Sequence, residues 1–259
     1  MAGRLRERRS ALAIWSWRLS LVSVPVVIIV AIGHRAGMMT ATQAFTVLAV
    51  GFSLAGLGVI AALGALEAIW RDGRKGLGPA VRGLLLGVAV LALPAIGAWN
   101  LAAYPQLHDI STDVDDPPPF MLALADRAPD TRAPSTFDDE DVARLQDGYP
   151  DIVPRHYPVG PARVFDDARA VVAARNWRVL GERQPAEGDL SGRIEAVAAT
   201  PVFGFRQDVV IRIAPDGEGT LVDIRSAARN GAHDLGLNAK RIRAFLRDLD
   251  ASLQGISEE

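Results

Sequence analysis

The stretch that decides the fold is residues 208–227, D-V-V-I-R-I-A-P-D-G-E-G-T-L-V-D-I-R-S-A. Two β-branched, alternating runs flank P-D-G-E-G, a strong hairpin signal. If Gly217 and Glu218 form the two-residue loop, Ile213 faces Val222, Ile211 faces Ile224 and Val209 faces Ser226. Those residues share one face, which must be the buried one, so Ser226 points inward. The other face carries Asp208, Arg212, Asp223 and Arg225, with Arg212 directly opposite Asp223. An opposite-charge pair across strands supports the register by roughly 0.2–1 kcal/mol. A slip of one residue would drive these charges into the core, so the register is well specified.

Outward from the hairpin, residues 193–199 and 177–180 read as two further strands, and Glu195 joins the charged face. A helix is expected to start at Pro161, with proline at its first position, and to end near Asn176. Its stripe is Val164, Phe165, Ala168, Val171, Val172 and Ala173. A last helix follows the hairpin, capped by Asp234 or Asn238. Ile242, Phe245, Leu246, Leu249 and Leu253 give it one apolar face at helical spacing. The expected fold of this part is α+β: about four antiparallel strands in a two-layer domain, packed against two helices.

Before this domain, residues 105–160 lose periodicity. Pro117, Pro118 and Pro119 are consecutive, and five more prolines follow by Pro158. Such density favours extended chain, with one short helix over 137–146 under Thr136 as cap. The acidic cluster Asp109, Asp113, Asp115 and Asp116 offers weak candidate calcium ligands. Its spacing is not that of an EF-hand loop, so the favoured reading is a segment laid over the domain, anchored by Ile110 and Phe120.

The front of the chain differs in kind. Apolar stretches at about 14–33, 44–69 and 83–103 each reach the ~20 residues that a helix needs to cross a bilayer. Residues 1–103 carry 10 Lys/Arg against 3 Asp/Glu, and residues 104–259 carry 18 against 27. The expected organisation is a membrane bundle of three transmembrane helices over 1–103, an acidic Pro-rich connector over 104–148 and a soluble domain over 149–259. Arg4, Arg6, Arg8 and Arg9 precede the first span, and Arg71, Arg74, Lys75 and Arg82 lie between the second and third. By the positive-inside rule both segments are cytoplasmic, so the C-terminal domain faces the periplasm from a bacterial inner membrane. The first span lacks an A-x-A-like cleavage site and reads as an uncleaved anchor. Small residues at Gly51, Ala55, Gly58, Ala62 and Ala65 mark the packing face of the second span.

Composition excludes several function classes. The chain has no cysteine, which removes disulfides and thiolate chemistry. Residues 152–259 balance 15 basic against 15 acidic residues, a poor footprint for nucleic acid. No motif implies a cofactor.

The strings T-P-V-F-G-F-R-Q-D-V-V-I-R-I, G-T-L-V-D-I-R-S-A-A-R and D-L-G-L-N-A-K-R-I-R-A-F resemble the bacterial and plastid family catalogued as domain of unknown function 1499. The resemblance covers about residues 149–253. It implies a domain outside the cytoplasm and assigns no catalytic residue. Many relatives carry a Pro-Asn-Cys segment that is missing here, and often serine at the positions of Ala227 and Ala228.

Three functions follow as expectations. The first is a binding or scaffold module of the cell envelope, partnered by the lipid bilayer and another envelope or membrane protein. Its candidate anion or partner surface is Arg212, Arg225, Arg229, Asn230, Lys240 and Arg241. Arg225, Arg229 and the pair Lys240–Arg241 are expected to be exposed. The second is a periplasmic hydrolase using Ser226, His233 and Asp234, although no nucleophile-elbow motif surrounds the serine. The third is an accessory or sensor subunit of a membrane complex.

Overall fold

The structure is a computed structural model that describes residues 9–129, 131–186 and 188–254. The basic residues Arg4, Arg6 and Arg8 lie outside the described residues. The chain forms two compact units, Met1–Trp99 and Asn100–Glu259, with the boundary in the last turn of the third helix.

The first unit holds three helices long and apolar enough to cross a membrane: α1 (Ala11–Arg35), α2 (Ala41–Asp72) and α3 (Leu77–Ala103). Capping groups set the ends of the first two. Ser10 accepts from the Ala13 amide, Thr40 and Gln43 form a capping box, and Gly73 closes α2 in the left-handed region. The five small residues of α2 are all buried. Facing them is a stripe that sequence reading did not single out, Ser16, Ser20 and Ser23 of α1. A Cβ on Gly58 would stand 2.3 Å from the Ser20 hydroxyl, and one on Gly83 would stand 2.1 Å from that of Ser16. Glycine is therefore required where these backbones meet. Ser20 donates to the Gly83 carbonyl at 2.8 Å, a bond that gains from apolar surroundings. Glu67 pairs with Arg71 one turn on, at the exposed end of α2.

The second unit is α+β. Its sheet has six strands: β1 (Asp109–Ser111), β2 (Arg155–Tyr157), β3 (Arg178–Arg183), β4 (Gly192–Ala199), β5 (Arg206–Asp216) and β6 (Gly219–Ala228). The order is β1-β6-β5-β4-β3, with β2 also on β6, and every pairing is antiparallel. The hairpin register is as the sequence requires, with Ile213 on Val222, Ile211 on Ile224, Val209 on Ser226 and Arg212 on Asp223. Gly217 takes φ 61°, the left-handed first position that a type II′ turn needs.

The expected four strands become six because β1 and β2 are three-residue pieces outside the periodic stretches. Each lies along β6 and takes its state from that pairing. Short helices α4 (Leu122–Ala125) and α5 (Asp139–Gly148) complete the segment read as a connector. Asp138, not Thr136, caps α5, since Phe137 turns into the left-handed region ahead of it.

Helices α6 (Pro161–Ala174) and α7 (Leu237–Gln254) pack on the sheet's apolar face. Val164, Phe165, Ala168 and Val172 of α6 meet Ile242, Phe245, Leu246 and Leu249 of α7 over Ile194, Ile211, Ile213, Val222 and Ile224. A buried aliphatic or aromatic side chain of this kind contributes ~1.5–3 kcal/mol. Asn176, at φ 54°, ends the helical region after α6.

Candidate functional site

The charged face of the sheet is covered by the protein's own chain. Residues 104–129 and 131–136, here the strap, run across it and bring most of the acidic cluster onto the hairpin arginines. Ile110 and Phe120 are both buried, as anchors.

Arg225 sits at the centre and is 5% exposed. Its Nε donates to Asp109 Oδ1 at 3.1 Å and its Nη2 to Asp109 Oδ2 at 2.9 Å, a bidentate pair. Nη2 also donates to the Ser135 carbonyl and Nη1 to that of Pro118. Phe120 and Phe137 each place a ring centroid 5.0 Å from its guanidinium carbon. The cation is thus enclosed by a carboxylate, two carbonyls and two rings.

Arg229 is 2% exposed and joins a chain of five charges. It donates to Asp208 at 2.6 and 2.9 Å and to Asp126 at 2.8 Å. Arg127 binds the other oxygen of Asp208, and Arg178 binds Asp126. Burial works against the Arg229 charge, but Asp208 and Asp126 outweigh it and hold its pKa above the ordinary range. The hydrogen bond from Arg178 depresses the Asp126 pKa most, with Arg229 adding to the effect.

Arg212 has three carboxylates: Asp223 at 2.9 Å, Asp113 at 2.8 Å and Asp116 at 2.6 Å. Burial raises the Asp223 pKa, which the Arg212 contact partly offsets. At the far end Glu195 accepts from the amides of Met121, Leu122 and Ala123 at 2.9–3.1 Å and from Arg193 Nε at 3.0 Å. A strand carboxylate thereby holds the start of α4 to the sheet.

The expected exposure of Arg225 and Arg229 is corrected: both are interior side chains. Sequence spacing could not show this, because their carboxylates arrive in large part from the strap. Of the weak calcium candidates, Asp109, Asp113 and Asp116 each face an arginine, and Asp115 stays at the surface. Among the described residues, no group of three or more metal-ligating side chains converges.

Lys240 remains exposed, with its ammonium 5.0 Å from the Tyr104 ring. Asn230 lies half-buried in the turn after β6. Arg241 reaches inward, where Nη1 donates to Asn238 Oδ1 at 2.9 Å and Ser226 Oγ at 3.2 Å. Burial lowers its pKa to about 10, with Asp234 opposing that shift, so it stays charged at neutral pH.

The hydrolase trio is also dispersed. Ser226 donates to Asn238 at 2.9 Å. His233 accepts from the Leu235 amide on Nδ1 at 2.8 Å and faces the Tyr104 carbonyl with Nε2 at 3.1 Å. Asp234 accepts from the Gly236 and Asn238 amides, so its role is to cap α7.

No curated protein matches this chain. Among solved structures it is similar to CalU16 from Micromonospora echinospora, at 16% identity and TM-score 0.23, over 40% of this chain and 78% of that one. It is also similar to TTHA0849 from Thermus thermophilus, at 18% identity and TM-score 0.18, over 40% of this chain and 90% of that one. Both similarities are too distant to bear on function. The family model described as protein of unknown function (DUF1499) matches residues 109–249. That match opens on Asp109, the first residue of β1 and the partner of Arg225, so it takes in the strap strand, the ion pairs and the hairpin together. The chain belongs to this DUF1499 family of proteins of unknown function.

Proposed function

We propose that this chain is an anchored protein of the bacterial cell envelope, held in the inner membrane by α1–α3, whose periplasmic α+β unit is a binding or scaffold module. The observation that carries the reading is the covered polar face. Arg212, Arg225 and Arg229, the side chains best suited to hold an anionic ligand, act as struts for the strap. A face filled by its own chain favours rigid presentation over ligand capture there. Asn230 and Lys240 belong to the surface left for a partner.

The orientation rests on loop charge. Arg71, Arg74, Lys75 and Arg82 surround the α2–α3 connection, whereas the turn between α1 and α2 is flanked by Arg35 alone, at the end of α1. Ser10 donates its amide to the Lys75 carbonyl at 2.9 Å, so the start of α1 and the α2–α3 connection share one end of the three-helix unit.

The absence of native cysteine makes the topology directly testable. In cells with a permeabilised outer membrane, Glu218→Cys and Met38→Cys should react with a membrane-impermeant maleimide. Arg74→Cys should react only after lysis. The opposite pattern overturns the orientation. For the scaffold role, a photo-crosslinker at Lys240 should capture a protein partner from native membranes. Capture should be lost on strap release by Arg225→Ala; an unchanged partner set would remove the scaffold reading.

A further inference from the structure

The strap leaves one part of the polar face open. Between α4 and the β3–β4 pair lies a cavity of about 340 Å³, lined by Met121, Leu122, Gly181, Arg183, Arg193 and Glu195 among others. It is small but within the size range of ligand sites.

Its polar groups are unequally satisfied. Glu195 already accepts from three amides and from Arg193 Nε. Arg183 pairs with Asp189 and Glu182 with Arg169. Arg193 differs. In register it stands between Arg183 on β3 and Arg212 on β5, and Arg212 already holds three carboxylates. Glu195 is the carboxylate paired with Arg193, and Arg193 Nη2 is buried with no hydrogen-bond partner. A buried guanidinium donor without an acceptor is unfavourable and calls for an explanation.

The α4 side of the wall is apolar. Met121 is 62% exposed and Leu122 47%, so two large apolar side chains at the start of α4 stay in solvent on the cavity wall. At the irregular step between Val179 and Gly181, glycine admits the Leu122 side chain, since a Cβ there would lie 2.4 Å from Leu122 Cδ1. The Arg193 side chain keeps 17% exposure and lines the cavity; a guanidinium with an unused donor beside exposed apolar surface is complementary to a molecule with an acceptor head and an apolar body.

We propose that the α4–β3–β4 cavity binds the carboxylate of a medium-chain aliphatic acid, with the Arg193 guanidinium as the donor to the head and Met121 and Leu122 as walls for the chain. A guanidinium prefers an anionic acceptor to a neutral one, because the charge-assisted bond is stronger and its fork matches a carboxylate. The site concerns the soluble unit alone and holds whichever side of the membrane that unit faces.

The test uses the full chain in lipid nanodiscs at neutral pH, labelled with a diazirine analogue of decanoic acid and mapped by peptide mass spectrometry. Adducts should appear in residues 119–124 and 179–183. Excess decanoate should compete for them and decanol should not. Arg193→Leu, and Leu122→Trp as a filling variant that keeps the arginine, should each cut labelling there on the order of tenfold, with wild-type melting behaviour as the control for folding. Labelling confined to α1–α3, or undiminished in a folded Arg193→Leu protein, overturns the site. Equal competition by decanol overturns the carboxylate assignment. The adduct map and the decanol competition come from the wild-type protein and decide the matter even where a variant fails to fold.

Discussion

The two faces of the central sheet are held by different physics. Under α6 and α7 the contacts are aliphatic and aromatic, non-directional, and proportional to the area removed from water. Under the strap they are guanidinium–carboxylate pairs out of solvent, where each bond has a required geometry. Buried pairs of this kind are often no more stabilising than apolar groups of the same volume, yet removing one partner is costly. The apolar face therefore supplies the general drive to fold. The polar face selects which segment covers it and in what register: Asp109 must meet Arg225, and Asp113 must meet Arg212.

The largest effects test that division. Arg225→Ala leaves the Asp109 carboxylate buried without its cation and should cost about 3–5 kcal/mol in denaturant unfolding of the full chain. Phe245→Ala on the apolar face should cost a similar ~3–5 kcal/mol, there through a cavity. The distinguishing measurement is the double variant Arg225→Leu with Asp109→Leu, which should recover most of the loss. If it stays as unstable as Arg225→Ala alone, the pair stabilises in its own right and the comparison fails.

A smaller effect is expected at Gly236, where the start of α7 meets the strap. Its φ is +74° and a Cβ would lie 2.8 Å from the Tyr104 ring. Gly236→Ala should cost roughly 1–3 kcal/mol of unfolding free energy. Gly217→Ala, with φ +61° but open space around it, isolates the backbone contribution and should cost less. Equal losses at both positions would show that the Tyr104 contact adds nothing.

Acidification should separate two strap contacts without unfolding the apolar face. The folded pKa of Asp223 is raised above the ordinary aspartate value of 3.8 by burial. Its contribution is full below 3.8 and is lost as pH rises through the folded pKa. Asp126 is depressed by its Arg178 hydrogen bond, so its contribution is present above 3.8 and is lost as pH falls through the folded pKa. On titration by carboxyl NMR, Asp223 should protonate above pH 3.8 and Asp126 below it. The reverse order would break the assignment of burial to one end of the strap and ion pairing to the other.

Much of the fold was legible locally. The hairpin register follows from alternation around P-D-G-E-G, and α6 and α7 from apolar residues at helical spacing. The three long apolar helices follow from hydropathy, and the small-residue stripe of α2 from its steps of three and four. The serines of α1 escaped notice because a serine in an apolar run has no signature until Gly58 and Gly83 approach it. The candidate site was legible as a set of residues and not as an arrangement. Arg225 and Arg229 looked exposed because arginine usually is, and nothing adjacent in sequence neutralises them.

What the sequence determined by itself is the pattern within each long element: which strand face is apolar, which helix face is apolar, and which segments are long and apolar enough to cross a membrane. These rest on periodicities of 2 and 3.6 residues and on hydropathy, all of short range. What only the tertiary structure decided is the state of the described residues of the strap. Their short strand has no alternation to reveal it, and the acceptor of Arg225 lies 116 positions away in the chain. A carboxylate and a guanidinium each read as surface groups alone; desolvated together, they become the interior of the polar face.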